Sequence, residues 1–318
     1  MKILFADKVE KEAKDILEKS GFTVDDKPGL SEGDYISIVG DYDGMIVRSA
    51  TKVTKNIIDA GKKLKVIGRA GVGVDNIDIN AAKQNGIAVV NAPTGNTNAA
   101  AEHTLTMLMM LAKHVIHAHI SMKRGEWDRK KYEGTELRGK TLGIIGLGNV
   151  GKKVAKVANA LEMEVICFDP FIDAAKMKEI GARKVELKEL IEVSDFITVH
   201  VPLTEKTKDM IGKEQFAQMK DGVRILNVAR GGVINEDALC EAIKSGKVAA
   251  AALDVYKDEP PTSKELIQME KVITTPHLGA STKEAQINVA IEIAETMVDV
   301  LKNNKLRNVV NGVTELRK

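Results

Sequence analysis

At 318 residues the chain is long for one domain, and two domains are the natural expectation. Its 47 basic and 45 acidic side chains leave a net charge of only +2, and aromatic residues make up 3%, which speaks against a general nucleic-acid binder. The two cysteines, Cys167 and Cys240, lack metal or redox spacing and suit a reducing cytoplasm; the start of the chain is too briefly apolar for a signal peptide, and no run reaches the ~20 residues of a membrane span.

Residues 2–6 read as a first strand, followed by an amphipathic helix with Val9, Ala13, Ile16 and Leu17 on one face. Further apolar strands are expected at 44–47, 64–68 and 86–90, separated by helical patterns, an alternation that specifies a parallel α/β unit. From 98 to about 123 runs one long helix. Its Leu105, Met107, Leu108, Met109, Met110, Leu111, Val115 and Ile116 make it apolar on too many sides for a helix half in water, and pairing of two copies would account for that. A second α/β series opens at Thr141, with later strands at 164–168, 196–199, 223–227, 248–253 and 272–275. The final helical pattern, 283–303, has no strand of its own nearby and is expected to pack back on the first domain. The expected architecture is therefore α/β with two doubly wound parallel sheets, a discontinuous domain of 1–92 plus 283–318 and a second of 93–282.

The second series begins with a glycine motif. Gly146, Gly148 and Gly151 stand in G-x-G-x-x-G spacing between an apolar run and a helical pattern carrying Val154, Val157, Ala158 and Leu161. In that setting the first glycine permits a tight turn, the second lets backbone approach a pyrophosphate and the third lets helix and strand pack closely. The helix N-terminus adds free N–H groups for the phosphates. The next strand ends in Asp169, where such a motif expects an acid for the ribose hydroxyls. An Asp there repels a 2′-phosphate, so NAD is expected over NADP.

In open α/β sheets ligands sit beyond the carboxyl ends of the strands. Charged residues follow five apolar runs here: Arg48, Arg69, Arg230, Asp254 and His277. Each alone reads as a solvated loop charge, but most are followed by small residues that expose backbone, as in Arg230-Gly231-Gly232. Of six histidines, His103, His114, His117 and His119 lie on or just after the long helix. Positions 114, 117 and 119 do not share one helical face and have no acidic partner, so no metal site is expected. His200 ends one strand and His277 the last. His277 is the best candidate for a proton donor, because imidazole ordinarily titrates near neutrality.

Arg230, then Glu259 in Asp254-Val-Tyr-Lys-Asp-Glu259, then His277 in Thr275-Pro-His-Leu-Gly-Ala280 resembles the Arg/Glu/His set of the D-2-hydroxyacid dehydrogenases. Segments 47–54, 68–78, 134–143 and 276–285 extend the likeness over nearly the whole chain, most closely to members acting on a phosphorylated 2-hydroxy acid. The resemblance implies a flavodoxin-like substrate domain, a Rossmann NAD-binding domain and a cytoplasmic homodimer paired through the 98–123 region. It makes His277 the base for hydride transfer, Glu259 the group that fixes its tautomer and favours the protonated ring, and Arg230 the grip on the substrate carboxylate. It implies that Asp254 holds the nicotinamide carboxamide. Val72, Asn149, Val150, Val201, Pro202, Val228, Ala229, Gly279 and Ala280 would line NAD beside the glycine motif.

For a phosphorylated substrate Arg48, Ser49, Lys52, Arg69 and Gly71 are candidates. Arg129 and Lys131 would reach a neighbouring subunit's site, with a solvated charge run the equal alternative for that loop. A glyoxylate or hydroxypyruvate reductase would share the three catalytic residues without needing the basic clusters, and a dinucleotide-sensing corepressor could keep the same scaffold. Family members often carry a C-terminal regulatory domain; residues 305–318 are too few for one, so the expectation is no inhibition by serine, with closure by hinges near 91–98 and 280–283.

Overall fold

The computed structural model describes residues 1–317 and divides into two compact units, Met1–Thr97 with the chain from Ser281 onward, and Asn98–Ala280. These breaks fall five residues after position 92 and two before position 282. Lys318, the last residue of the expected first domain, lies outside the described residues.

The first unit is built on five parallel strands, β1 (Lys2–Phe5), β2 (Thr23–Asp26), β3 (Gly44–Val47), β4 (Val66–Arg69) and β5 (Ala88–Asn91), in the order β2-β1-β3-β4-β5. That is the flavodoxin-like order. Alternate residues face opposite cores, as a period of two requires. Ile3, Phe5, Ile46, Val66 and Val90 meet the helices Lys11–Lys19 and Lys283–Leu301, whereas Leu4, Met45, Val47, Ile67 and Val89 meet Tyr35, Ile57 and Ile58. Each such fully buried aliphatic side chain contributes about 1.5–3 kcal/mol.

The returning helix Lys283–Leu301 is capped by Thr282, whose hydroxyl accepts from the Ala285 N–H at 3.1 Å. It lies so close to the sheet that a Cβ on Gly68 would stand 3.0 Å from Met297 Sδ. The chain beyond it covers the free edge of β5. Val309 bridges Val90 antiparallel, and the Asn311 amide accepts from Val89 N–H at 3.1 Å and donates to the Ile87 carbonyl at 2.8 Å.

The second unit has seven parallel strands: β6 (Thr141–Ile145), β7 (Glu164–Phe168), β8 (Arg183–Lys184), β9 (Phe196–Val199), β10 (Val223–Asn227), β11 (Val248–Leu253) and β12 (Val272–Thr274). Their order, β12-β11-β10-β9-β6-β7-β8, reverses between β6 and β9, the doubly wound arrangement with its ligand crevice at the reversal. Ile145, Ile197, Ile225 and Leu253 face one core; Leu142, Ile144, Phe196 and Leu226 face the other.

Three features depart from the sequence-based expectation. Strand β2 buries only Val24 at its edge position, and β8 is a polar pair, so neither carries an apolar run. The long helix is two, Thr97–Lys113 and Val115–Lys123, divided at His114, whose φ is +51°. The Ala112 carbonyl, which a continuous helix would pair with the amide four residues on, instead accepts the Thr135 N–H at 2.8 Å.

Candidate active site

At the reversal point, β6 runs into the glycine loop and the helix Asn149–Ala160. Gly146 has φ +93°, and a Cβ there would sit 2.7 Å from the His200 carbonyl; one on Gly151 would sit 2.4 Å from the Gly146 carbonyl. Gly148 differs, because a Cβ there would meet nothing within 4 Å. Gly146 thus lets the loop lie against the end of β9 and Gly151 closes it on itself, while Gly148 opens toward space at the helix N-terminus, a position that favours a phosphate. Asp169, buried at the end of β7, accepts the Leu147 N–H and the Phe171 N–H, both at 2.8 Å. The acid is therefore fixed beside the glycine loop. At the end of β9, His200 is enclosed by the surrounding chain, which pushes its pKa down to about 4, and its Nε2 lies 3.0 Å from Thr198 Oγ1. Val201 and Pro202 follow it.

The ends of β10, β11 and β12, which are neighbours in the sheet, bring Arg230, Asp254, Glu259 and His277 to one edge. Asn227 shapes the first of these loops, accepting the Ala229 N–H at 3.1 Å and donating to the Arg230 carbonyl at 2.8 Å. Arg230 in turn donates to the Ala229 carbonyl at 2.7 Å. Gly231 lies against the Tyr256 carbonyl so tightly that a Cβ would come within 1.8 Å of its oxygen. His277 Nδ1 lies 2.7 Å from Glu259 Oε2, while Glu259 Oε1 accepts the Tyr256 N–H at 3.2 Å. The imidazole is thus oriented through Nδ1, and both side chains stay partly exposed, His277 at 48%.

Asp254 is not exposed at all. Its carboxylate accepts from Thr275 Oγ1 at 2.6 Å, Leu278 N–H at 2.7 Å and Gly279 N–H at 2.8 Å, and its own carbonyl accepts the His277 N–H at 2.9 Å. Burial alone would raise its pKa. The bonds from His103, Thr275 and the two amides outweigh that and hold it below the usual carboxylate range. His277, at φ +56°, is a non-glycine residue in the left-handed region, and this clamp holds it there. His103, from the helix Thr97–Lys113, closes the network, its Nε2 lying 3.1 Å from Thr275 Oγ1 and 3.4 Å from Asp254 Oδ1. Sequence reasoning missed His103, Thr275 and Asn227. A polar residue on an apolar helix face was the available signal for His103.

In the first unit a second buried carboxylate has a similar arrangement. Asp7, just past β1, accepts the Arg48 N–H at 2.6 Å, the Thr51 N–H at 3.2 Å and Thr51 Oγ1 at 2.7 Å. Asn76 adds bonds to the Arg48 and Thr51 carbonyls at 2.7 and 2.6 Å. The Arg48 guanidinium reaches the Gln286 amide oxygen. Beside it opens a cleft of about 720 Å³ lined by Lys8, Leu30, Tyr35, Arg48, Ser49 and Lys52 among others. Arg69, at the end of β4, folds its Nη1 onto the Ala70 carbonyl at 2.7 Å; Gly71 follows, and Val72 is 40% exposed. Arg129 and Lys131 lie elsewhere, on an exposed loop of the second unit. Lys131 faces Glu270 at 3.9 Å, just before β12 begins, so it stands at the end of the sheet opposite His277.

A profile of the D-isomer specific 2-hydroxyacid dehydrogenase, NAD binding domain, matches residues 105–279, more than half of the chain. The chain belongs to that family. Its second unit accordingly carries the family's NAD-binding domain. D-3-phosphoglycerate dehydrogenase of Archaeoglobus fulgidus is 53% identical over 98% of this chain and 59% of its own length. The rat protein of the same name is 48% identical over 98% of this chain and 58% of its own length. The chain thus spans somewhat over half the length of these relatives. Among solved structures, a glyoxylate reductase from Paecilomyes thermophila superposes with a TM-score of 0.90 at 29% identity, over 98% of both chains. D-lactate dehydrogenase from Aquifex aeolicus, complexed with NAD and lactic acid, gives 0.83 at 28% over 96% of both.

Proposed function

We propose that the chain oxidises D-3-phosphoglycerate to 3-phosphohydroxypyruvate with NAD, the step that opens the phosphorylated route to serine. The observation that carries this is the Glu259–His277 pair, 2.7 Å apart on the strand edge that also presents Arg230. The two phosphoglycerate dehydrogenases near 50% identity support the substrate class.

When bound, NAD supplies the acceptor for the hydride leaving C2. His277 Nε2, which has no partner among the described residues, takes the hydroxyl proton as C2–O becomes a carbonyl. Glu259 fixes the tautomer from Nδ1 and offsets the positive charge the ring acquires. Arg230 holds the carboxylate and polarises the C2 oxygen, a task suited to a planar two-pronged donor. Asp169 reads the ribose hydroxyls, and Gly146, Gly148, Asn149, Val150 and Gly151 receive the pyrophosphate. Asp254, with its oxygens occupied by the 275–279 loop, acts first by holding His277 and Gly279 in place. Val72, Val201, Pro202, Val228, Ala229, Gly279 and Ala280 line the dinucleotide. Arg48, Ser49, Arg69 and Gly71 read the anionic end of the substrate.

A homodimer is part of the same proposal. Val115, Ile120 and Met122 on the second half of the broken helix are 54%, 46% and 53% exposed, and Trp127 just beyond is 76% exposed. That is a large apolar surface to leave in water. In such a dimer Arg129 and Lys131 would serve the partner's site. NADH formation measured side by side with 3-phosphoglycerate, glycerate and D-lactate tests the substrate, with 3-phosphoglycerate expected to be turned over with the highest kcat/KM. Faster reduction of glyoxylate or hydroxypyruvate with NADH would instead make the chain a reductase of those acids. Light scattering on the eluted protein reads the dimer directly.

A further inference from the structure

The amino ends of β6, β9 and β10, at the edge of the seven-stranded sheet opposite the candidate active site, enclose a separate cavity. It has a volume of about 130 Å³ and is lined by Thr135, Lys140, Asp195, Phe196, Lys220 and Arg224, with the 221–223 backbone closing it. That is space for about four waters, or for one tetrahedral oxyanion.

The charges around it do not balance. Asp195 is already engaged, accepting the Thr141 N–H at 2.8 Å and facing Lys220 at 3.0 Å. Asp221 is paired with Lys247 at 2.9 Å. Two cations remain. The Lys140 ammonium has no side-chain or backbone acceptor among the described residues, and it is half-buried. The Arg224 guanidinium lies 5.3 Å from the Phe196 ring centre and donates once, from Nη2 to Thr135 Oγ1 at 3.2 Å. Its Nε is buried with no partner at all. A guanidinium carries five donors; Nε is closed off even to water, and the Nη donors left over by the single bond to Thr135 are the ones an anion would engage. Burial lowers the pKa of Arg224, and the Asp195 carboxylate offsets part of that.

We propose that this cavity is a binding site for a small oxyanion of the phosphate type, held by Arg224, Lys140 and the Thr135 hydroxyl. The site is independent of the catalytic proposal, since strands of four or five residues set it about 13–17 Å from the catalytic edge. It touches the break in the long helix, because Thr135 also donates its N–H to the Ala112 carbonyl at 2.8 Å. An anion drawn onto Thr135 would therefore stiffen the 97–123 helical pair.

The test is calorimetric titration of the whole protein with inorganic phosphate, and in a second arm with a simple phosphomonoester, at constant ionic strength. Lys140→Gln, Arg224→Gln and Arg48→Gln are compared with the parent. One class of phosphate binding is expected to weaken about tenfold or more in the Lys140 and Arg224 variants and to be unchanged in the Arg48 variant. Phosphomonoester binding with the same pattern would mean that the cavity mouth admits an ester tail; binding of phosphate alone would mean a free ion. Should Arg224→Gln fail to fold, Lys140→Gln carries the test alone, since the parent's Lys140 makes no bond whose loss could unfold it. Absence of phosphate binding by the parent, or equal binding by the parent and the Lys140 variant, overturns the proposal and leaves a water-filled cavity.

Discussion

The two units place the same device at the ends of their strands and use it differently. In each, a buried aspartate past an apolar strand accepts two backbone N–H groups and a threonine hydroxyl from a neighbouring loop: Asp7 from the Arg48–Thr51 loop, Asp254 from the Thr275–Gly279 loop. In the first unit the clamped loop borders an open cleft of about 720 Å³, and its arginine side chain reaches out to Gln286. In the second the clamped loop carries His277 in a left-handed conformation, already bonded to Glu259. On the proposed function, one clamp fixes where a charge is presented and the other fixes the geometry of a reacting group. Charge presentation tolerates small errors of position, whereas proton transfer does not, and the denser network around Asp254 fits that difference.

After His277, taken last, the largest effect is expected at Arg230. Arg230→Gln removes the paired donors for the carboxylate, and kcat/KM for 3-phosphoglycerate should fall about 10²–10³-fold, as for a lost buried charge pair of about 3–4 kcal/mol. Steady-state kinetics reads it; a KM and kcat both close to the parent's would remove Arg230 from the substrate grip.

Next comes the direct contrast of the two clamps. Asp254→Asn keeps the shape but weakens the bonds to the Leu278 and Gly279 amides, so kcat is expected to drop about tenfold to a hundredfold with KM little changed. Asp7→Asn is expected to show the reverse, with KM for the substrate raised about tenfold and kcat nearly kept. Should both variants change the same parameter, the distinction between presenting a charge and shaping a reacting group is lost. His103→Leu should reproduce the Asp254 pattern in milder form, while His103→Gln, which can still donate to Asp254, should restore part of kcat.

These clamps also mark where the sequence was legible and where it was not. Apolar runs buried on both faces, such as β3 and β6, announce themselves, and so do charges standing just beyond them. What cannot be seen is which polar groups meet across long separations. Asp7 and Arg48 are 41 residues apart, and His103 and Thr275 are 172 apart. Neither local propensity nor periodicity encodes such pairs. The break at His114 was hidden for the same reason, since the composition is continuous and a tertiary bond to the Ala112 carbonyl decides it. Strands β2 and β8 carry almost no apolar signal and exist because a neighbouring strand offers them bonds.

A smaller effect is expected at Asp169. Removing its charge with Asp169→Ala should relax the preference for NAD over NADP, read as the ratio of kcat/KM for the two cofactors. An unchanged ratio would place the selection in the backbone of the Asp169–Phe171 turn. Smallest is the contribution of His200, a strand-end residue of the second unit half-buried in its neutral form. Its folded pKa, about 4, lies below the ordinary 6.5. The unfolded chain therefore binds the extra proton between those values, and stability rises with pH across that window, by about 1–3 kcal/mol. Urea melts from pH 4 to 6.5 should show that rise in the parent and a flatter dependence in His200→Gln.

The central claim is that His277, held by Glu259 and the Asp254 clamp, moves the proton while the glycine loop independently holds the dinucleotide. It is tested most directly with His277→Ala, following NADH binding by fluorescence and NADH formation from 3-phosphoglycerate by rapid mixing on the same preparation. The expected result is NADH affinity within about threefold of the parent and hydride transfer slowed by about 10²–10⁴-fold. Turnover near the parent rate would contradict it, as would loss of NADH binding in step with the loss of turnover.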